Sequence, residues 1–119
     1  MAIERRDSKR FDSTLKAICE IGRNIKRACE VKNISKTGAL VILDTPVDEG
    51  SEINVSLDVP GDNMPIFVSG TVAWQKKSIL EPKINAYETG IKFAAVDGLD
   101  KSRLSGYLHS LWLKLLERK

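Results

Sequence analysis

The hydrophobic period changes near residue 97, and this restricts the fold more than any composition does. Beyond it, Leu104, Leu108, Leu111 and Leu115 recur at intervals of four, three and four, with Tyr107, Trp112 and Leu116 beside them. That spacing draws an apolar stripe along one helix. Ahead of it, apolar residues fall into six short runs. Ile53-Asn54-Val55-Ser56-Leu57-Asp58-Val59 alternates strictly, which predicts a strand with one face on a core. Leu15–Ile21 and Ile25–Val31 read as a hairpin joined by Gly22-Arg23-Asn24. Ala39–Leu43 is continuously apolar, as expected of a strand buried on both faces. Ile66–Trp74 is the next strand, with Gly70 at a bulge or a close backbone approach. Tyr87–Ala95 is the last.

Punctuation between the runs supports this order. Asp44–Ser51 carries Pro46 and Gly50, Pro60-Gly61-Asp62-Asn63 is a turn, and Gln75–Ala86 is a long polar loop around Pro82. The expected fold is all-β with one helix: a six-stranded antiparallel β-barrel and a C-terminal α-helix against it. Residues 1–13 form a flexible arginine-rich arm, 14–96 the barrel and 97–119 the helix, capped by Asp97 or Asp100. A chain of 119 residues suffices for one core but not two.

Several function classes drop out. No apolar run is long enough to span a membrane, and residues 1–15 lack a signal-peptide core, so a cytoplasmic protein without membrane insertion is expected. Cys19, Cys29 and His109 are the only cysteines and histidine, too few for a zinc set, and no metal is expected. Two buried thiols are the simplest reading of the cysteines; neighbouring antiparallel strands could bring them together as a disulfide, which the expected reducing compartment disfavours. There is no nucleophile–base–acid constellation and no glycine-rich loop leading into a helix, so the chain does not read as an enzyme.

Charge is unevenly placed. The net value is +3, yet residues 1–36 hold ten Lys/Arg against five Asp/Glu, and residues 37–119 hold nine against eleven. A basic front on a near-neutral body suits an anionic ligand held at one place. Two stretches sharpen that. Arg5, Arg6 and Arg10 lie in the polar arm, whose only apolar residues besides the initial Met1 and Ala2 are Ile3 and Phe11. Asn33-Ile34-Ser35-Lys36-Thr37-Gly38 reads as a turn between strands. Guanidinium groups facing a turn rich in hydrogen-bonding groups suit a multiply charged phosphate ligand with planar bases.

Arg6-Asp7-Ser8-Lys9-Arg10 reads R-x-x-x-R, and Asn33 to Gly38 reads N-x-S-x-x-G. In this order and separation the two elements resemble the signature of the PilZ domain, the bacterial receptor for cyclic di-GMP. The resemblance covers almost the whole chain and implies a PilZ-like split barrel, with Thr89-Gly90-Ile91-Lys92-Phe93 similar to the family's usual last strand. It implies that Arg6 and Arg10 bind phosphate and a guanine edge, that Asn33 and Ser35 contact the other guanine, and that Gly38 lets the turn's backbone come close. An arginine at position 5 implies an intercalated pair of ligand molecules. Trp74 either lies beside the bases, as an aromatic does in some relatives, or packs in the core or barrel end. No other cofactor is implied.

The mechanism that follows is a ligand-ordered arm. Phosphates draw Arg5, Arg6 and Arg10 onto the barrel, creating a surface for an unidentified protein effector. The implied outputs of such a stand-alone adaptor are motility, chemotaxis, exopolysaccharide or virulence control. Two alternatives stay open. One is an OB-like nucleic-acid-binding barrel, although the strands lack interleaved exposed aromatics and no nucleic-acid partner is expected. The other is a PilZ-like interaction module with weak or no nucleotide binding, forming a homodimer or meeting a partner through Trp112, Leu113 and Leu116.

Overall fold

Gly22, at a positive φ of 65°, ends β1 (Phe11–Ile21) and opens the connection to β2 (Ile25–Ile34). Only glycine takes that conformation without a steric cost. The two strands pair antiparallel, from Ile21 opposite Ile25 to Phe11 opposite Ile34. In this computed structural model, which describes residues 11–22, 25–61, 63–78, 86–96 and 98–117, four more strands and a helix follow. They are β3 (Gly38–Leu43), β4 (Glu52–Asp58), β5 (Ile66–Lys77), β6 (Tyr87–Val96) and α1 (Gly98–Glu117). The strands close into an antiparallel barrel in the order β1-β2-β3-β6-β5-β4, with β4 returning to β1.

Closure puts alternate residues inside, except at the start of β2, where residues 25–28 are all exposed. Val31, Ile34, Val41, Leu43, Ile53 and Ile66 are essentially without surface. Burying each such side chain stabilises the fold by about 1.5–3 kcal/mol. β3 departs from expectation. Ala39, Val41 and Leu43 are buried, whereas Leu40 and Ile42 are half-buried on the outer wall. A closed barrel exposes one face of each strand, and only part of that wall is covered by the helix.

Element ends also differ from the sequence expectation. β1 starts at Phe11 rather than Leu15, and β2 runs on through Asn33 and Ile34. β5 continues to Lys77, past the Trp74 where the polar loop was expected to begin. The cause is Gln75, whose amide is satisfied inside the barrel end. Its Nε2 donates to the Thr45 carbonyl (3.2 Å) and to Thr89 Oγ1 (3.0 Å), and its Oε1 accepts the Val47 N–H (2.8 Å). Gly70 faces a bulge on β6, where Ala94 is the extra residue, and a Cβ at Gly70 would overlap the Lys92 carbonyl oxygen, so this glycine marks a close approach.

The helix packs against β5 and β1 through Leu104 and Leu108, both buried, with Tyr107 and Leu111 half-buried beside them. Asp100 is not its cap. It lies inside the first turn, where its carboxylate accepts the Phe67 N–H (3.3 Å) and pairs with Arg103 (3.0 Å). Arg103 also donates to the carbonyls of Pro65 (3.0 Å) and Met64. The other expected cap, Asp97, lies outside the described residues. No described helix is long and apolar enough to cross a membrane.

Candidate functional site

Ser35 organises the turn between β2 and β3. Only 1% of it is exposed. Its N–H donates to the Gly38 carbonyl (2.9 Å), and its Oγ accepts the N–H groups of Thr37 and Gly38 (3.2 Å each). Oγ also lies 3.3 Å from the Gly38 carbonyl and 3.4 Å from Thr37 Oγ1. A serine bonding the backbone two and three residues on is a local turn device. The Thr37 carbonyl in turn accepts the Phe93 N–H (2.8 Å), which fastens the turn to β6. Gly38 is buried and opens β3 opposite Lys92. Ser35 and Gly38 therefore form the turn's frame, while Asn33 is half-buried on the outer wall.

Two bulges aim the outward residues. On β2, alternation from buried Val31 would send Asn33 inward; a register shift between Val31 and Asn33 turns it out and leaves Ile34 inside. On β5, Ile66, Val68, Gly70 and Val72 are buried in strict alternation, so Trp74 should follow them into the core. A second shift, between Val72 and Trp74, puts the indole outside and Gln75 inside. Bulges of this kind re-aim a side chain at the price of one unpaired residue.

The re-aimed residues share one row. Asp12 lies opposite Asn33, Asn33 opposite Leu40, Leu40 opposite Gly90 and Gly90 opposite Trp74. Directly paired residues present the same face, so Asn33 and Trp74 both lie on the barrel's outer wall, about 15 Å apart measured along the curved sheet across three strand spacings. Trp74 is 40% exposed and is not a core residue. Its indole covers Gly90, where any Cβ would collide with the ring. Lys76 Nζ lies 6.0 Å from the ring centroid, within cation–π range. The result is a shelf: a flat aromatic at one end, a half-buried Leu40 in the middle and an amide at the other end.

Beside the turn, a cleft of about 370 Å³ separates Lys36 and Thr37 from Phe93 on β6 and from Lys101, Leu104 and Ser105 on α1. Its two lysines add positive potential next to the shelf. Among the described residues no group of three or more His, Cys, Asp or Glu could hold a metal ion.

Of the residues singled out from sequence, Asn33, Ser35, Gly38 and Trp74 are brought to one wall and its edge. Arg5, Arg6 and Arg10 lie outside the described residues. The sequence reading missed Leu40, Gly90 and Lys76 as parts of the shelf. Gly90 did carry a signal: a glycine inside an apolar strand marks close approach, an argument applied only to Gly70.

A closed antiparallel barrel with one flanking helix and a re-aimed polar–aromatic row on its outer wall defines a small β-barrel domain. The chain belongs to the PilZ domain family, whose model matches residues 4–110. No curated protein matches the sequence. Among solved structures it is similar to the PilZ domain with c-di-GMP of YcgR from Escherichia coli, with a TM-score of 0.74 at 15% identity over 97% of each chain. It is also similar to the Bacillus subtilis inhibitor of motility MotI/DgrA (TM-score 0.74, 18% identity, 98% of this chain and 54% of that one). The MrkH–c-di-GMP complex of K. pneumonia gives a TM-score of 0.74 at 19% identity over 98% of this chain and 57% of that one. The chain thus spans about half of MotI and MrkH and nearly all of the YcgR domain; at these identities the likeness is one of fold.

Proposed function

We propose that this domain is a receptor for cyclic di-GMP, held between the arginine segment and the outer wall. One observation carries the reading: Phe11 pairs with Ile34 and Asp12 with Asn33. Phe11 directly follows Arg10 in the chain, so the paired segment begins where the R-x-x-x-R element ends. The segment that follows the R-x-x-x-R element is thus paired beside the motif turn, which supports a site built from both halves of the signature. Membership of the PilZ family supports the ligand, as do the c-di-GMP complexes of YcgR and MrkH.

In this reading Arg6 and Arg10 clamp phosphate and a guanine edge, because a planar guanidinium matches both. Asn33 pairs with a guanine through an amide that donates and accepts. Ser35, whose hydroxyl is already bonded to the Thr37 and Gly38 N–H groups, acts by holding the turn rather than by reaching a base. Trp74 offers a base its exposed face, and Arg5 holds a second, intercalated ligand molecule. Ordering of the arginine segment over the ligand then presents a new surface to a protein effector controlling motility, chemotaxis, exopolysaccharide or virulence. The protein acts as a cytoplasmic receptor and carries out no reaction of its own.

Calorimetry with cyclic di-GMP tests this, with GTP, cyclic GMP and single-stranded DNA as controls. Micromolar or tighter binding is expected, with two ligands per chain, falling to one in Arg5→Ala. Arg6→Ala and Arg10→Ala should each weaken binding by about 1.5–3 kcal/mol, the scale of a charge-assisted bond. Undiminished affinity in both would remove the arginine segment from the site.

A further inference from the structure

The hairpin that leads to the motif turn holds a feature the receptor reading does not use. Cys19 on β1 and Cys29 on β2 lie on the inner side of the sheet, a diagonal pair: Cys29 is opposite Ala17, and Cys19 is opposite Arg27. Their sulfurs are 2.8 Å apart. Both are free thiols; Cys19 has no exposed surface and Cys29 is half-buried. A disulfide requires sulfurs at about 2.05 Å, less than an ångström closer.

We propose that Cys19 and Cys29 form a modification site, closing to an intramolecular disulfide by exchange with a low-molecular-weight disulfide. Cys29 is the point of entry, because it alone of the two has surface. Its thiolate attacks one sulfur of the small disulfide, making a mixed disulfide and expelling the other half as a thiolate. Cys19 Sγ then attacks Cys29 Sγ and passes its proton to the departing group. The protein dithiol is oxidised by two electrons, the small disulfide is reduced, and two molecules of small thiol leave. The hydrogen bond with Cys29, together with burial, holds the Cys19 thiol well above its ordinary pKa, which keeps it from reacting first. The bond would fasten β1 to β2 towards the Gly22 end, away from Asn33, so it can succeed or fail independently of nucleotide binding.

The test uses the full chain, reduced, freed of reductant and incubated with excess oxidised glutathione. Samples are denatured in the presence of N-ethylmaleimide and weighed intact. The expected product is a monomer lighter by two hydrogens that takes up no maleimide and melts about 10 °C higher than the reduced chain. Cys19→Ser should stop at the glutathione adduct, and Cys29→Ser should stay unmodified while folded. Wild-type protein that keeps two alkylatable thiols, accumulates a lasting adduct or cross-links between chains would overturn the proposal, whatever the variants do.

Discussion

Ser35 shows how a motif residue can hold its own turn together. Its hydroxyl, on a residue only 1% exposed, accepts two backbone N–H groups of the turn. Ser35→Ala would leave those donors unpaired, which costs about 1–3 kcal/mol. Urea unfolding should show that loss, and calorimetry should show weaker cyclic di-GMP binding as the turn loosens. Unchanged unfolding with weakened binding would instead return the hydroxyl to the ligand. The sequence identified the residue but not its partner, since the direction of a serine hydrogen bond depends on the backbone geometry it helps create. Trp74 posed a related problem. Its place in a strand was legible, yet the alternation of Ile66, Val68, Gly70 and Val72 points it inward, and only the bulge before it reverses that. A bulge leaves no mark that a period-two pattern can detect unless a glycine stands there.

At the scale of elements, patterns of burial were readable where packing alone decides them. The strict alternation of β4 appears as expected, with Ile53, Val55 and Leu57 inside, and Leu104 and Leu108 hold α1 to the barrel. Ends were less readable, because they depend on single polar side chains finding distant partners. Gln75 lengthens β5 through bonds to Thr45, Val47 and Thr89, residues 14 to 30 positions away. The start of α1 rests on Asp100 and Arg103, which reach the 64–67 segment instead of capping locally. Arg103→Ala removes the bonds to Pro65, Met64 and Asp100 together and leaves a mostly buried carboxylate without its ion partner. A loss of about 2–4 kcal/mol is expected from breaking a partly buried charge pair. Hydrogen exchange should place it in α1, whose amides would exchange faster while those of β3 and β6 keep their protection. Uniform acceleration would mean that helix and barrel unfold as one unit.

Across the whole molecule, charge and topology divide the labour. The excess of positive charge is confined to residues 1–36, ahead of a body that is slightly negative. If that front holds the phosphates, cyclic di-GMP affinity should fall several-fold between about 0.05 and 0.5 M salt, because exposed charges are screened over a few ångströms at the upper value. Titration calorimetry across that range would measure it, and a flat profile would assign the affinity to the wall rather than to the arginines. The barrel itself closes on β1 and β4, so every described strand has a neighbour on both sides. Closure leaves no strand wholly at an edge, although the start of β2, Ile25–Cys29, has no partner on the β3 side. Among the described residues, the backbone groups open to a visiting strand are therefore confined to the strand ends that run past their neighbours.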